Sequence, residues 1–213
     1  MLRAMRGALL VGLVIACGKP ARRELDLDLV RITGEGKLRT DTVGDQVHET
    51  ATFVLVDAEN TGNEGAFVTL AGELADGGGH AVGEFKATSL WVPAGESRTF
   101  ALVDRDRKAR PEASAAKILV RQATIPAAPP AVYVDQIREL EDDGKLVVQG
   151  VLHNDAKRRG QIVVIGSFHG ADGRPTTRPF TIQRVEAGAT QAVQFVSTPA
   201  AKHGTIYVGD TAF

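Results

Sequence analysis

Apolar and polar residues alternate along most of the chain, in short runs separated by turn residues. Clear examples are FVLVDAEN (residues 53–60), FVTLAGEL (residues 67–74) and QIVVIGSF (residues 161–168). Alternation with a period of two places successive side chains on opposite faces of a strand, so that one face can be buried and the other solvated. The pattern therefore predicts an all-β protein built from antiparallel sheets with one buried face each.

The same succession of strands and turns occurs twice. The first pair of runs breaks at Asn60 and at Asn154, 94 residues apart, and the next pair places Gly72 and Gly166 at the same separation. Each half then continues through an Asp-Gly turn and an Ala-Gly corner to a strand that ends in Phe. Asparagine bonds its own backbone in turns, which explains Asn60 and Asn154 without a catalytic role. A match at every turn indicates a duplicated unit.

Leading and trailing strands bring each half to six or seven strands, the usual content of a sandwich domain of about 100 residues. We therefore predict two tandem antiparallel β-sandwiches, residues 25–122 and 131–213. Residues 123–130 between them are rich in Pro and Ala, which predicts an extended, semi-rigid linker.

Two local expectations follow from the spacing of these runs. Residues 33–50 are Gly-rich and charged, which predicts a long loop found in the first copy alone. In the second copy, residues 146–151 and 162–168 should form a hairpin with His153 and His169 at its opposite ends.

A family resemblance can be stated from these residues. A strand ending in Asn, a second strand ending near Asp-Gly, and a Gly corner leading into a Phe strand resemble the FxLYD family of extracytoplasmic immunoglobulin-like domains. The likeness covers both copies, with LADG at residues 74–77 and FHGADG at residues 168–173 in the place of the motif that names the family. The resemblance implies that both sandwiches are immunoglobulin-like and lie in the bacterial envelope, and it implies no catalytic residue.

The N-terminus has the pattern of a secretion signal. Two arginines precede an apolar run at residues 8–16, and the chain's one cysteine, Cys17, follows. The run is far shorter than the roughly 20 residues that span a bilayer, so residues 1–16 are predicted to be a signal peptide. VIAC (residues 14–17) resembles the bacterial lipobox, which implies lipidation of Cys17 and makes residues 17–24 a lipidated tether. Gly18 after the cysteine resembles lipoproteins of the outer membrane that face the periplasm. The alternatives are an uncleaved anchor or a plain secretory signal.

Composition and motifs exclude several classes of function. A net charge of −1 and 5% aromatic residues give no basic or stacking surface for nucleic acid. Ser114 and Lys117 fit an S-x-x-K pattern, but Lys117 begins a predicted strand and that chemistry needs both residues on a helix. The five histidines lack the spacing of metal ligands, and we expect no metal and no cofactor. The sequence favours a non-catalytic, lipid-anchored interaction or scaffold module of an envelope assembly, with a protein partner. The alternative is a periplasm-facing lipoprotein that binds a metal or a small ligand.

The first copy carries the candidate contact residues. Trp91, the chain's one tryptophan, is either a buried corner residue or an exposed anchor for a partner. The loop at residues 104–114 is strongly charged, and its basic members are Arg105, Arg107, Lys108 and Arg110. An aromatic side chain ringed by charged loops has the composition of an interface centre with a polar rim. Trp91 and these four residues are therefore the predicted partner surface.

Overall fold

The computed structural model of the protein describes residues 23–43, 49–198 and 200–213. The predicted signal peptide, Cys17 and the tether up to residue 22 lie outside the described residues. All pairings between the described strands are antiparallel, and the one helical element among these residues is a 3-10 helix, Leu27–Leu29, N-capped by Asp26. The prediction of an all-β chain of tandem antiparallel sandwiches is confirmed.

The first sandwich contains nine described strands in two sheets. One sheet has the order β1-β9-β5-β6, with β7 also paired to β5; the other has the order β2-β4-β3, with β8 also paired to β4. The strands are β1 (Arg23–Glu24), β2 (Val30–Glu35), β3 (Arg39–Val43), β4 (Glu49–Asn60), β5 (Ala66–Ala75), β6 (Ala81–Glu84), β7 (Thr88–Val92), β8 (Ser97–Val103) and β9 (Ala115–Ile125).

The second sandwich contains seven described strands in two sheets. One sheet has the order β10-β11-β15, and the other has the order β13-β12-β14 with β16 also paired to β12. The strands are β10 (Val132–Asp142), β11 (Lys145–Asn154), β12 (Gly160–His169), β13 (Pro175–Thr177), β14 (Phe180–Val185), β15 (Thr190–Val196) and β16 (His203–Ala212).

The strand pairing of the second sandwich repeats that of the first, apart from β1, which has no counterpart. Strand β5 pairs with β6, β7 and β9, and β12 pairs in the same way with β13, β14 and β16. Strand β4 lies between β2 and β8, as β11 lies between β10 and β15. The register agrees as well, since Gly72 faces Ile118 and Gly166 faces Ile206. The repeat read from the sequence is therefore a repeat of strand pairing.

Each sandwich encloses an apolar core between its two sheets. Phe100 of β8 and Leu70 of β5 belong to the first core, and Phe168 of β12 and Phe195 of β15 belong to the second. These residues occupy the inward positions of the alternating runs, where burial of a large apolar side chain contributes about 1.5–3 kcal/mol. The period-two pattern thus sets which face of each sheet is buried.

Asn60 and Asn154 have the same structural role in the two copies. Both are fully buried. The Asn60 side-chain amide donates to the carbonyls of Glu64 (2.8 Å) and Val92 (3.1 Å), and its oxygen accepts from the Gly62 N–H (2.9 Å). Asn154 makes the corresponding bonds to the carbonyls of Arg158, Val185 and Glu186 and from the N–H of Ala156. The prediction of local turn bonding is confirmed, and each amide also bonds to a distant strand end.

Two local expectations were wrong. Most of the predicted loop at residues 33–50 is strand, because β2 and then β3 pair with the same edge of β4; residues 44–48 lie outside the described residues. Residues 146–151 and 162–168 do not form a hairpin, since β11 pairs with β10 and β15 whereas β12 belongs to the opposite sheet. The chain crosses between the sheets at Asn154, whose buried amide bonds the Val185 carbonyl of the sheet that β12 joins.

The predicted linker overlaps an ordered strand. Strand β9 continues to Ile125, and the carbonyl of Ala123 accepts a hydrogen bond from the Leu25 N–H at 2.9 Å. The chain leaves the sheet after Ile125, and the second sandwich begins its first strand at Val132.

Candidate functional site

The two sandwiches meet at a junction with a buried polar centre. Asp57 of β4 and Thr99 of β8 face Ser167 and His169 of β12. His169 Nε2 lies 3.0 Å from Asp57 Oδ2, and the Thr99 hydroxyl donates to Asp57 Oδ1 at 2.5 Å. Because the single hydroxyl proton of Thr99 is directed at Asp57, the Ser167 hydroxyl is the donor in the Thr99–Ser167 hydrogen bond. One carboxylate thus binds groups from both sandwiches.

Further contacts fix the relative position of the sandwiches. The Thr99 carbonyl accepts from the Tyr207 hydroxyl (2.6 Å) and from Arg178 Nε (2.8 Å). Ile165 and Tyr207 belong to the second sandwich by sequence but pack in the apolar cluster of the first. Gly34 permits the close approach of β13, since a Cβ there would lie 3.4 Å from Pro175 Cδ and 2.9 Å from Asp57 Oδ2. The junction is therefore a specific interface and not only a tether.

A groove of about 420 Å³ opens beside this junction, between β7 of the first sandwich and β10 and β16 of the second. This volume is within the usual range for ligand pockets, about 300–1,000 Å³. Its wall is aromatic and apolar, with acidic side chains at intervals; the main members are Phe67, Trp91, Tyr133, Ile137, Tyr207, Glu96, Arg98, Asp135 and Asp210. A larger depression of about 660 Å³ is lined by residues 33–38, 113–116 and 172–174, which are mainly polar and glycine residues. The groove has the better composition for a binding site, since it combines aromatic walls with a few polar groups.

Trp91 lies in the groove, half-buried. It pairs with Phe67 across β5 and β7, and their ring centroids are 5.4 Å apart at an angle of 58°. One edge of its ring covers Gly65, where a Cβ would come within 2.3 Å of Trp91 Cζ2. Arg184 has the equivalent place in the second copy, facing Gln161 across β12 and β14. Trp91 therefore packs on its own sandwich and also faces the groove, so neither of the two sequence interpretations describes it completely.

Tyr133 forms the opposite wall together with His153 and Asp135. The Tyr133 and His153 rings are stacked, with centroids 4.7 Å apart and planes at 6°. His153 Nε2 lies 2.8 Å from Asp135 Oδ1, which fixes the imidazole. Partial burial raises the pKa of Tyr133, and the hydrogen bond to Asp155 acts in the same direction. Tyr133 therefore stays a neutral phenol at physiological pH and keeps its apolar face.

Two β-bulges shape the groove. The β10–β11 register shifts between Asp135 and Arg138, and Gln136 in this bulge has a left-handed φ of +50°. The β12–β16 register shifts where Gly209 stands, and a Cβ there would come within 2.3 Å of Ile165 Cδ1. Bulges redirect side chains and interrupt strand pairing, and a non-glycine residue at positive φ is held there at some cost. The backbone on both sides of the groove thus departs from regular strand.

The charges in the groove do not balance. Arg98 pairs with Glu96 (2.7 Å) and lies over the Tyr207 ring at 5.2 Å, so its charge is already engaged. Asp135 pairs with His153, which is charged only when protonated. The Asp210 carboxylate accepts from the Thr211 N–H, and no cationic side chain pairs with it among the described residues. The groove is acidic as a result.

The basic loop is at the other end of the first sandwich. Phe67 stands at the Trp91 end of β5 and Ala75 at the loop end, and the eight residue steps from one to the other span about 27 Å. Arg105 pairs with Glu84, and Arg110 pairs with buried Asp104 and with Asp106, which raises the pKa of Arg110. The prediction that Trp91 is ringed by this loop is therefore wrong.

The remaining basic loop residues are held by their backbones. The Lys108 N–H donates to Asp104 Oδ1 (3.1 Å), and the Lys108 carbonyl accepts from Thr52 (2.9 Å). Arg107 adopts a φ of +53°, and its N–H donates to the Asp104 carbonyl (3.0 Å). Asp104 thus organises the loop locally, much as a turn aspartate does.

Sequence reasoning missed most of the groove. Phe67 and Tyr133 are aromatic residues at outward positions of their strands, beside the buried positions Val68 and Val132. An aromatic residue out of phase with the buried set was the available signal. Asp210 carried no such signal, since an acidic residue near a chain end is common on any surface.

Comparison with models of protein families gives no match, and comparison with curated proteins gives none either. The described residues contain no group of three or more His, Cys, Asp or Glu side chains arranged to hold a metal ion. Within the same residues, no helix has the length and apolar character that crossing a membrane requires.

Proposed function

We propose that this protein is a lipid-anchored, non-catalytic interaction module of a bacterial envelope assembly, held through Cys17 at the outer membrane and facing the periplasm. The observation that carries the interaction role is the groove, to which both sandwiches contribute aromatic side chains across a tightly fitted junction. Aromatic side chains on a rigid frame are typical of contact sites, because they supply large area at low entropic cost. The relationship to immunoglobulin-like FxLYD domains belongs to the same proposal.

The polar centre of the junction supports a structural role and not a catalytic one. A nucleophilic hydroxyl needs a base within hydrogen-bond reach, in the manner of a Ser-His pair. Here the Thr99 hydroxyl is bonded to Asp57, and the Ser167 hydroxyl is bonded to Thr99. The imidazole of His169 faces the same carboxylate. All these groups satisfy one another, which is what a buried polar interface requires.

The anchor would place the groove near the membrane. Only five residues separate Cys17 from Arg23, a reach of at most about 20 Å. Arg23 pairs with Ile125 in the sheet and binds Glu64 at 2.7 Å, beside Phe67 at the rim of the groove. Under this proposal the groove lies close to the lipid surface and the charged loop at residues 104–114 points away from it.

The anchor is tested by metabolic labelling with a clickable palmitate. The wild-type chain should take up label and sediment with membranes, whereas Cys17→Ser should remain an unlabelled precursor. Label that persists in Cys17→Ser would exclude the anchor.

The interaction role is tested separately by a photo-crosslinking residue placed at Phe67, with Phe180 as the control. Both side chains are partly exposed aromatics, and only Phe67 lines the groove. A discrete crosslinked species from position 67 that is absent from position 180 supports the role. Equal patterns from the two positions would contradict it.

The cavity volume also favours the second candidate function, a small-ligand-binding lipoprotein. A pocket of about 420 Å³ with aromatic walls is large enough for a small organic molecule. Native mass spectrometry of the protein purified from its host would show a bound mass that Trp91→Ala removes.

A further inference from the structure

We propose that the groove binds an extended peptide segment of a partner protein, laid along the free edge of β10 with a basic side chain between the aromatic walls and Asp210. This inference rests on the proposed interaction role but does not depend on the lipid anchor. Three features carry it independently: an open strand edge, an aromatic wall and an uncompensated negative charge.

The strand edge comes from the topology of the second sandwich. Strand β10 ends its sheet and is hydrogen-bonded to β11 on one side only; on its other side it lies beside β16 of the opposite sheet, and no described strand pairs with this edge. Residues 132–137, which form its first half, line the groove. Gln136 and Ile137 also lack partners in the β10–β11 register because of the bulge. Unpaired N–H and C=O groups on an edge are ready to bond an added strand, which is a common mode of peptide recognition.

The aromatic wall supplies contact area on both sides of that edge. Phe67 and Tyr133 are 39% and 40% exposed, and Trp91 packs against Phe67 and also lines the groove. Ile137 adds a 39% exposed aliphatic side chain from the bulge itself. An extended peptide alternates its side chains, so an apolar residue can contact this wall while its neighbours point elsewhere.

The charge selects a basic segment. Glu96 is neutralised by Arg98, whereas Asp210 has no cationic partner among the described residues and Asp135 has only His153. A lysine or arginine would gain both from these carboxylates and from the faces of Trp91 and Tyr133, which attract cations. An acidic segment, or an anionic lipid headgroup, would be repelled by the same groups.

The test uses the detergent-solubilised full chain and three synthetic octapeptides without tryptophan. The first alternates valine with arginine, the second replaces each arginine by glutamate, and the third is the first with N-methyl groups along one edge. Trp91 is the chain's only tryptophan, so its fluorescence reports occupancy of the groove directly. We expect the basic peptide to shift Trp91 emission and to bind at least about tenfold more tightly than the acidic peptide, a difference of about 1.4 kcal/mol. Methylation of the bonding edge should abolish the binding.

Protein variants then locate the site. Asp210→Lys should weaken binding of the basic peptide about tenfold, because a repulsive charge replaces an attractive one. Asp172→Lys is the matched control, since Asp172 is an exposed carboxylate in the β12–β13 turn and lies outside the groove. Both positions are exposed and each carboxylate accepts one local backbone N–H, so the two variants lose the same kind of contact and should both keep the fold.

Several results would overturn the proposal. Equal affinity of the basic and acidic peptides would remove the charge argument, and unchanged binding of the methylated peptide would remove the edge argument. Unchanged binding by Asp210→Lys would move the site elsewhere. Binding of tetramethylammonium as tightly as the peptide would favour a small ligand, and a concentration-dependent dimer in sedimentation would favour a second copy of the chain. If peptide binding fails while crosslinks from position 67 persist, the interaction role stands and this inference fails.

Discussion

His169 of β12 binds Asp57 of β4 across the junction, at 3.0 Å between Nε2 and Oδ2 and 112 residues apart in the chain. The Asp57 carboxylate is buried, and its other oxygen receives the Thr99 hydroxyl. A buried carboxylate with partners from both sandwiches makes their relative position depend on all of these groups together. Removal of one member should therefore destabilise the whole body and not one sandwich.

Thr99→Val tests the buried network directly. Valine has a similar shape but no hydroxyl, so it leaves Asp57 Oδ1 and the Ser167 hydroxyl without their partner. We expect the free energy of unfolding to fall by about 1–3 kcal/mol, the usual cost of an unsatisfied buried polar group. Urea titration measures this value. Thr61→Val is the control, because the exposed Thr61 hydroxyl bonds the Leu29 carbonyl where water can replace it. Equal losses of unfolding free energy in the two variants would show that the buried network stabilises the protein no more than an exposed hydrogen bond does.

Ile165→Ala tests whether the sandwiches depend on each other. Ile165 is 2% exposed and packs in the cluster of the first sandwich. In the full chain the variant should cost about 2–5 kcal/mol, as for other buried isoleucines. In the isolated segment 131–213, which the repeat predicts can fold alone, the same side chain faces water and the change should be nearly neutral. Thermal melts of the four proteins give the comparison, and an equal loss in both backgrounds would contradict the interface.

Asn60→Ala and Asn154→Ala should have equal effects on stability. Both amides are fully buried and bond carbonyls of a turn and of a distant strand end. Each replacement leaves those carbonyls unsatisfied, and we expect a loss of about 1–3 kcal/mol or more in each case. Asn63→Ala is the control, since Asn63 is exposed in the same turn as Asn60. Chemical denaturation of the three variants measures the free energy of unfolding. A loss of stability in only one of the two asparagine variants would mean that the two copies do not depend equally on this residue.

The sequence predicted most of the fold because the repeat and the period-two pattern are local. Asn60, Asn154, Gly72 and Gly166 take equivalent positions, since each is part of a short segment whose turn chemistry is encoded nearby. The sheet to which a strand belongs is not local. Strands β11 and β12 look like a hairpin in sequence but lie in opposite sheets, and the Asn154 amide at the crossover bonds the distant Val185 carbonyl, a contact that no local pattern encodes.

The candidate site was less predictable for the same reason. Trp91 was identified as a contact residue because it is the single tryptophan, but its neighbours came from other parts of the chain. Tyr133 and Asp210 enter the groove only when the second sandwich docks against the first. Composition alone grouped Trp91 with the charged loop, although the length of β5 separates them. Side chains brought together by docking leave no local pattern.

The Asp76 turn should give the protein a pH-dependent element of stability. The His80 backbone N–H is the main cause of a lowered pKa of Asp76, and the N–H groups of Gly78 and Gly79 act in the same direction. A carboxyl whose pKa is lowered on folding stabilises the fold above its unfolded pKa of about 3.9, and this contribution is lost as pH falls through the folded pKa. At pH 7 the melting temperature of Asp76→Asn should therefore be lower than that of the wild type. The difference between the two melting temperatures should disappear as the pH is lowered.

Asp172→Asn is the matched control for that titration. Asp172 occupies the equivalent turn of the second copy, and its carboxylate accepts one backbone N–H, from Arg174. At neutral pH we expect Asp172→Asn to lower the melting temperature less than Asp76→Asn does. Melting curves should be measured between pH 7 and about pH 2. This range includes the interval below the ordinary carboxyl pKa, in which the Asp76 contribution should be lost. If the Asp76→Asn difference stays constant over this range, the stabilisation does not come from the charge.

Gly65→Ala should disturb the groove from below. A Cβ at Gly65 would come within 2.3 Å of Trp91 Cζ2 and 2.4 Å of Trp91 Cη2, so the indole ring must move. The ring is held on its other side by Phe67, which leaves displacement toward the groove as the open direction. We expect a red-shifted Trp91 emission and a loss of about 1–3 kcal/mol from overpacking. Gly77→Ala is the control, because a Cβ there meets only Ser114 Oγ at 4.0 Å. An unchanged emission spectrum in Gly65→Ala would mean that the indole ring does not pack on this glycine. The base of the groove would then be formed by other residues.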